Sequence, residues 1–477
     1  MLQIFEKSNL AVFLGNGALE HSGGEEGRRS VSGRMMRGLL AAGLVAFVAA
    51  CSTDGPDRPR ERDTSASDFP QFDIPRAPEG RRDSYYNAPH MEGRNPVRVG
   101  LLLPFSAESG GVRELSRALQ DAAQMALSQS GTRNVLLIPK DTRGTAVGAR
   151  EAAEAAIEAG AEIILGPVFA DNVTSAAHIA VPEAVPLIAF SSNRKVAQPG
   201  VYLLSFQAEE EIRRVVNYAL SQELYDFAAL VPANSYGELS SDALSRTVFQ
   251  AGGTVTNVVA FEPGSDDYRS SARELAEFEQ RAEALKQHIN ELKVRRDDEA
   301  EQELARLEKQ ETYGDVSFQA VLIPAGGTTL RSVAPLLTYF DVDNREVRFL
   351  GTSLWNDPAL WKEPALAGGW FAAPSPEQRR AFSQSFEDIF GYKPPRLTSL
   401  GYDAVLLTAV LSRDAEQGER FTDERLTNPS GFAGVDGIFR FRTDGTTERG
   451  IAVLEIQDGD VEVVSPAPTR FDAEAVY

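Results

Sequence analysis

The chain has 477 residues and a formal net charge of −21, and charged residues make up 25% of it. A protein this acidic lacks the basic surface that recognition of DNA or RNA requires, so we expect no nucleic-acid partner. About 380 residues follow Pro96, which is enough for two lobes of ordinary domain size.

The first informative segment is an apolar run that ends at Cys51, the only cysteine of the chain. Arg34 and Arg37 precede about a dozen apolar residues, and small residues lead up to the thiol. This arrangement is typical of a secretory signal peptide, and its end resembles the lipobox of bacterial lipoproteins, whose cysteine is acylated and becomes the mature N-terminus. The alternatives are a short transmembrane anchor or a buried helix, but the run is shorter than the ~20 residues that span a bilayer.

We therefore expect Cys51 to be the lipidation site and residues 1–50 to be a signal peptide with an upstream extension. The extension is either a mis-assigned start or a piece removed with the signal. Acyl chains would anchor the protein to a membrane and leave the rest of it in water. Ser52 follows the cysteine, and by resemblance to sorted lipoproteins it indicates the periplasmic side of the outer membrane.

Residues 51–96 contain seven prolines among Arg, Asp and Ser, and almost no aliphatic residues. Such a segment cannot bury enough apolar surface to offset the entropy of ordering it, so we predict a disordered tether. Extended at ~3.1 Å per residue, the tether would reach on the order of 140 Å.

From Val97 onwards, apolar runs of strand length alternate with amphipathic helical patterns. Buried strands separated by helices are typical of parallel β-α-β units whose sheet is covered on both faces. One alternating set fills residues 97–206 and a second fills 207–373. The predicted fold class is therefore α/β, with two lobes joined by hinge crossovers.

The C-terminal part supplies further elements to both lobes. We expect helices within residues 374–430 to return to the first lobe, and we assign residues 431–470 to the second. A β-hairpin is predicted in the latter segment, with strands Ile438–Arg442 and Ile451–Ile456 and a turn at Asp444 and Gly445.

The stretch 267–312 is an insertion with a coiled-coil pattern. Apolar residues occupy the a and d positions of successive heptads, with charged residues between them; the stripe consists of Leu275, Phe278, Ala282, Leu285, Ile289 and Leu292. The stripe breaks near Arg295 and resumes at Leu304 and Leu307, which predicts an antiparallel helical hairpin. Either it packs on its own lobe, or it projects and contacts a partner through Leu275, Phe278, Leu285, Ile289 and Leu292.

Six short motifs occur in the same order as in the type I periplasmic-binding-protein family, the branched-chain amino-acid receptor group. They are Val99–Ser106, Ile163–Pro167, Pro186–Ser192, Ala233–Gly237, Gly401–Val405 and Gly434–Phe439. The whole region from Val97 to about Ile456 resembles that family. The resemblance implies a two-lobed fold with a ligand cleft between the lobes.

A narrower resemblance lies in Leu350–Pro358 and Leu366–Phe371. Together with the lipoprotein signal, these segments resemble the penicillin-binding-protein activators, in which an outer-membrane lipoprotein of this fold stimulates a peptidoglycan synthase. The best-known activators also carry an N-terminal helical-repeat domain, whereas here the sequence predicts only a tether.

The resemblance also indicates which side chains would line the cleft: Ser106, Ser191, Ser192, Asn193, Tyr236, Thr352 and Trp355. Their alternative role is turn and capping chemistry. The family's ligand-binding hydroxyl aligns with Ala170, and the Thr352 region offers no acidic residue before Asp357. A charged ligand without ionic partners is costly to bury, so binding of a free α-amino acid is disfavoured.

The sequence predicts no catalytic residue, metal site or cofactor. The four histidines are scattered, and the chain has no Walker-type loop or Gly-x-Ser-x-Gly motif. Ser192 and Lys195 match the Ser-x-x-Lys pattern of penicillin-interacting enzymes, but the accompanying Lys-Thr-Gly motif is missing.

Two functions remain open at this point. One is a non-enzymatic outer-membrane lipoprotein that binds and activates a peptidoglycan synthase. The alternative is a lipoprotein solute receptor that delivers a small, amino-acid-like ligand to an ABC permease. Ionic residues in the cleft would favour the receptor, whereas an apolar or collapsed cleft and the inserted hairpin would favour the activator.

The lipid anchor is tested by replacing Cys51 with Ala. Because acylation requires the thiol, the variant is expected in the soluble fraction or, uncleaved, in the inner-membrane fraction. Cell fractionation followed by immunoblotting measures this distribution. A variant that stays with the outer membrane like the wild type would contradict the assignment.

Overall fold

The computed structural model describes Met91 and residues 96–295, 297–413, 415–457 and 459–471. The predicted signal peptide, Cys51 and nearly all of the predicted tether lie outside these residues. Among the helices of the described part, none is long and apolar enough to cross a membrane.

The first lobe is built on a five-stranded parallel sheet. Its strands are β1 (Val97–Leu103), β2 (Val135–Asp141), β3 (Ile163–Leu165), β4 (Leu187–Ala189) and β5 (Val201–Leu203), in the order β2-β1-β3-β4-β5. The helices between them are α1 (Gly110–Gln129), α2 (Ala146–Glu158) and α3 (Ala170–Ala180). All seven residues of β1 are buried, because Leu101 and Leu102 enter hydrophobic clusters on opposite faces of the sheet.

The second lobe begins with α4 (Ala208–Ser221) and repeats the alternation. Its next elements are β6 (Asp226–Pro232), α5 (Ser235–Gln250), β7 (Thr254–Phe261), α6 (Arg269–Leu275), α7 (Phe278–Arg295), α8 (Asp298–Leu307), β8 (Ala320–Leu322), α9 (Gly327–Tyr339), β9 (Arg348–Gly351) and β10 (Trp370–Ala373). The five strands are parallel. This two-lobed α/β architecture confirms the predicted fold class.

The chain then returns to the first lobe through α10 (Pro376–Phe390) and α11 (Thr398–Leu411), followed by α12 (Asp423–Leu426). Phe382 and Phe386 of α10 pack against Ala118, Ala122 and Met125 of α1. Three antiparallel strands follow: β11 (Phe432–Gly434), β12 (Gly437–Phe441) and β13 (Thr447–Arg449). Strands β14 (Ala452–Gln457) and β15 (Asp460–Ser465) complete the second sheet, whose order is β15-β14-β10-β9-β8-β6-β7.

The C-terminal segment differs from the prediction in two respects. Residues 432–449 belong to the first lobe rather than the second, because Phe439 and Phe441 lie in its core. The predicted pairing of 438–442 with 451–456 is also wrong. Strand β12 pairs with β13 around the turn at Asp444 and Gly445, whereas β14 pairs with β10 and β15.

The chain passes between the lobes three times, at residues 204–207, 374–375 and 450–451. We refer to these segments as the first, second and third crossovers. The lobes can move relative to each other only by changes in the backbone of these short segments, so the crossovers form the hinge.

The insertion forms a helical hairpin with a small hydrophobic cluster of its own. Helices α7 and α8 are linked by two residues, and four buried side chains meet between them: Leu285, Leu292, Ala300 and Leu307. Ile289, Leu304 and Tyr313 pack against that cluster. From Leu285 onwards, the apolar stripe therefore packs within the hairpin itself.

The predicted partner contacts on this stripe need correction. Leu275 is fully buried in the core of the second lobe, and Phe278 packs against that core. Leu285 and Leu292 are buried between the two hairpin helices. None of these four side chains therefore forms an open contact surface, and Ile289 is half-buried against the same cluster.

Arg281 fixes the base of the hairpin to the second lobe. Its guanidinium donates to the carbonyl oxygens of Gly314, at 2.9 Å, and Asp341, at 3.2 Å. The Tyr313 N–H donates to the Arg281 carbonyl at 3.1 Å, so the two ends of the hairpin are adjacent. A very short connection can therefore replace it.

Deleting residues 283–311 and joining the ends with a short Gly/Ser linker tests whether the hairpin is needed for folding. The free energy of unfolding should change by no more than about 1 kcal/mol, because shortening a surface connection alters loop entropy only slowly. Urea unfolding measures the change. A loss of several kcal/mol or of cooperativity would show that the hairpin belongs to the lobe core.

Candidate functional site

The two lobes approach each other at the carboxyl ends of their parallel strands. In open α/β sheets this edge is where binding groups collect. Ser106 follows β1, and Ser191 follows β4. In the second lobe, Tyr236 follows β6 and Thr352 follows β9.

Ser106 is exposed at this edge and is held by Asp141, at the end of β2. Its hydroxyl donates to Asp141 Oδ2 at 2.5 Å, and its N–H lies 3.3 Å from Asp141 Oδ1. Ser106 is therefore an accessible polar group of the first lobe at this edge.

The predicted residues after β4 serve mainly the local backbone. The buried Ser191 hydroxyl accepts a hydrogen bond from the Asn193 N–H at 3.3 Å. Asn193 Oδ1 accepts from the Lys195 N–H at 3.0 Å and caps the short helix Arg194–Val196. Ser192 lies half-buried between them. These contacts are the turn and capping chemistry expected as the alternative role.

In the second lobe, the Tyr236 hydroxyl lies 3.3 Å from Thr352 Oγ1. Burial, with a contribution from Glu211, raises the pKa of Tyr236 above its usual range, so the phenol stays protonated. Trp355 does not line the cleft as predicted. Its side chain is 0% exposed within the lobe core, where the indole Nε1–H donates to the Ile323 carbonyl at 3.1 Å.

Ala170 and Asp357, the two positions that argue against binding of a free amino acid, have local structural roles. Ala170 is the first residue of α3, and its buried methyl group cannot hydrogen-bond a ligand. Asp357 Oδ1 accepts from the Ala359 N–H at 2.9 Å within a turn.

The main polar feature between the lobes is absent from the predicted site residues. It starts from the first turn of α4. Glu209, Glu210 and Glu211 occupy that turn, and each forms an ion pair with an arginine of the first lobe. The N···O distances are 3.8 Å for Arg194–Glu209, 3.4 Å for Arg442–Glu210 and 3.4 Å for Arg396–Glu211. We refer to them as the three interlobe ion pairs.

The Arg396–Glu211 pair closes around Ser353 of the second lobe. Glu211 Oε2 accepts from the Ser353 N–H at 3.0 Å, and its other oxygen bonds the Ser353 hydroxyl. Arg396 donates to the Ser353 carbonyl at 2.8 Å and to its hydroxyl at 2.6 Å. Burial raises the pKa of Glu211, and Arg396 and Ser353 offset part of that effect.

The middle pair belongs to a ring of alternating charges. Glu210 contacts Arg213 within α4, and Arg213 lies 3.9 Å from Glu448 of the first lobe. Glu448 lies 3.3 Å from Arg442, which returns to Glu210. Each lobe thus contributes one acid and one base to the ring, and Glu448 also contacts Arg440, at 2.9 Å, outside it.

A second buried group of charges lies behind the first crossover. The Cζ atoms of Arg396 and Arg449 lie 4.7 Å and 4.9 Å from the centroid of the Phe206 ring. Arg449 Nη1 is 3.9 Å from Asp403 Oδ2, and Arg379 contacts Asp436 at 3.2 Å. Burial raises the pKa of Asp403 to about 7, although Arg449 opposes the shift.

Such an arrangement of polar and charged groups can bind a polar molecule and can hold the two lobes together. Among the described residues, no group of three or more His, Cys, Asp or Glu side chains is placed to hold a metal ion. The three glutamates of α4 pair with arginines of the other lobe, whereas Ser106, Ser191 and Tyr236 bond within their own lobe.

Comparisons with known proteins agree with this architecture. A family model described as "Periplasmic binding protein" matches residues 96–460. No match was found among curated proteins. Among solved structures, the chain is similar to a putative branched-chain amino acid ABC transporter protein from Rhodospirillum rubrum, with 19% identity, a TM-score of 0.60 and coverage of 77% of this chain and 100% of that one.

Two further solved structures show the same fold. An ABC transporter substrate-binding protein from Sphaerobacter thermophilus has 18% identity and a TM-score of 0.57, covering 79% of this chain and 98% of its own. A branched chain amino acid ABC transporter periplasmic ligand-binding protein from Burkholderia xenovorans has 15% identity and a TM-score of 0.56, covering 78% and 96%.

Replacing Asp403 with Asn should change how stability depends on pH. In the folded protein Asp403 keeps its proton up to a pKa of about 7, whereas in the unfolded chain it loses the proton near its ordinary value of 3.8. Asp403 therefore lowers stability as pH rises between these values, by about 2–3 kcal/mol from pH 5 to pH 7. Urea unfolding at several pH values should show this loss in the wild type but not in the variant; parallel profiles would contradict it.

Proposed function

The chain belongs to the periplasmic binding protein family, and we propose that it is a non-enzymatic solute receptor that delivers a small polar ligand to an ABC transporter. The observation that carries the proposal is the meeting of polar groups from both lobes at the carboxyl ends of the strands. The similar solved structures from Rhodospirillum rubrum and Sphaerobacter thermophilus are described as ABC transporter proteins, which supports this choice.

The interlobe contacts restrict what the ligand can be. A molecule that enters between the lobes has to replace the contacts among Glu211, Arg396 and Ser353, since these groups already satisfy one another. An apolar ligand would leave the charged groups buried without partners, which is costly. The ligand must therefore carry hydrogen-bonding groups of its own.

In this proposal the receptor is a lipoprotein. Cys51 carries the acyl chains, and the proline-rich segment up to residue 96 gives the folded lobes their reach. Ser52 favours an anchor on the periplasmic side of the outer membrane. These statements rest on the sequence pattern.

A second candidate function is activation of a peptidoglycan synthase. The α7–α8 hairpin supports it, because the hairpin has its own apolar cluster and is attached to the lobe mainly at its base. Such an element can be presented to a partner without disturbing the cleft. The contact would involve the outer, charged surface of the hairpin and the exposed Val294, rather than the buried stripe.

The receptor function is tested by screening polar solutes for thermal stabilisation and confirming any hit by calorimetry. At least one solute should bind, and Tyr236→Phe, which removes one hydroxyl at the cleft, should weaken its binding. Tyr225→Phe, at an exposed site of the second lobe, is the matched control. Absence of binding by any solute, or binding unaffected by Tyr236→Phe and Ser106→Ala, would contradict a cleft receptor.

Leucine, isoleucine and valine should not bind at micromolar affinity. Micromolar binding requires ~8 kcal/mol, and each missing hydrogen-bonded or ionic contact removes ~1–3 kcal/mol. Ala170 cannot supply one such contact to the ligand. Glu211 and Arg396 could supply two others, but they are paired with each other. Titration calorimetry measures the affinity. A micromolar dissociation constant with any of the three would show that an amino acid can displace the interlobe ion pairs.

Activation of a synthase is tested with the variant that lacks residues 283–311. If the hairpin is the contact, the variant should fail to stimulate a purified peptidoglycan synthase, whose basal rate should not change. Val294→Asp, at a side chain that is 81% exposed, localises the contact without disturbing packing. Full stimulation by the shortened protein would show that the hairpin is not part of the interface.

A further inference from the structure

A small cavity lies where the first and third crossovers run side by side. Its volume is about 10 Å³, and its wall includes Gln207 from the first crossover, Ile451 from the third, Arg449 at the end of β13, and Glu211 from α4. A cavity of this size has room for about one water molecule. It lies at the hinge, behind the interlobe ion pairs.

Two buried side chains at this cavity have polar atoms without a hydrogen-bond partner among the described residues. They are Gln207, which is 4% exposed, and Arg449, which is 8% exposed. Gln207 Nε2 donates to Ser205 Oγ at 2.8 Å, and this bond leaves Oε1 as the unpartnered atom. In Arg449 all three guanidinium nitrogens are unpartnered.

The surroundings of Arg449 explain why no neighbour satisfies it. Its Cζ lies over the faces of two aromatic rings, 4.9 Å from the Phe206 centroid and 5.3 Å from that of Phe439, and these rings carry no oxygen or nitrogen acceptor. Asp403, at 3.9 Å, is beyond hydrogen-bond distance. Buried polar groups are almost always hydrogen-bonded to protein or ordered water.

We propose that this cavity binds one structural water, which accepts a hydrogen bond from Arg449 and donates one to Gln207 Oε1. The water would join the first crossover to the end of β13, directly before the third crossover, so it would brace the hinge of the two-lobed molecule. The role does not depend on which ligand or partner the protein serves.

The charges around the cavity favour water over an ion. The cavity wall carries charges of both signs, because Arg449 lies there together with Glu210 and Glu211. Glu211 in the wall repels an anion, whereas Arg449 repels a cation. A neutral molecule with one donor and one acceptor direction fits both unpartnered groups.

A crystal structure at 1.8 Å resolution or better tests the proposal on the full chain. We expect a density peak within about 2.7–3.2 Å of both Gln207 Oε1 and an Arg449 nitrogen. A direct Gln207–Arg449 hydrogen bond, or a cavity without density, would overturn it. Crystals soaked in bromide give an independent check, because an anomalous peak at this position would identify an anion site instead.

The variant Gln207→Met removes the acceptor at similar side-chain size, and Gln222→Met makes the same change at an exposed site. Gln207→Met should lose the water and accelerate amide hydrogen exchange in residues 204–208 about tenfold, whereas the control should not. Unchanged exchange in Gln207→Met, or a water peak that persists in its crystal structure, would show that the water does not brace the hinge.

Discussion

The arrangement of the two lobes depends on three consecutive carboxylates that face three arginines. Glu209, Glu210 and Glu211 lie in one helical turn, where their charges repel one another. The positive end of the α4 dipole offsets part of that repulsion, and the first-lobe arginines offset more. The same residues therefore stabilise the start of a helix of one lobe and attach it to the other.

The strength of this attachment is set by partial burial. Isolated surface ion pairs contribute about 0–1 kcal/mol, because water screens them and ordering the side chains costs entropy. The glutamate side chains here are 6–12% exposed and their arginines 20–35%. Three such pairs, together with the ring through Arg213 and Glu448, favour closed lobes, and we expect their moderate strength to let the hinge open. Such an equilibrium suits a binding protein, since a ligand can shift it only by differential affinity.

Much of the fold could be predicted from the sequence because its signals are local. Continuous apolar strands alternating with helices indicate parallel sheets, and a/d spacing indicates a hairpin whose residues face each other. The strands after residue 431 were harder to predict. The apolar pattern of Phe439 and Phe441 fits a strand of either lobe. The position of the third crossover decides that β13 belongs to the first lobe and β14 to the second.

The candidate site was less predictable because it depends on contacts between distant residues. Glu211 and Arg396 are 185 residues apart, and an acidic first turn is equally typical of a solvated helix start. Trp355 was expected at the cleft because it follows a strand end, but a large indole beside Gly351 and Phe371 is better accommodated in the core. Sequence position identified the correct edge of the sheets; side-chain packing decided which residues reach the open space.

The most direct test of this account is the distance between the lobes without any ligand. Spin labels at introduced cysteines replacing the exposed Val147 and Phe249, on the Cys51→Ala background, would report it by double electron–electron resonance. We expect one narrow distance distribution in the wild type, and a longer, broader one when Glu209, Glu210 and Glu211 are all changed to Gln. A broad, open distribution in the ligand-free protein, or identical distributions in both, would contradict it.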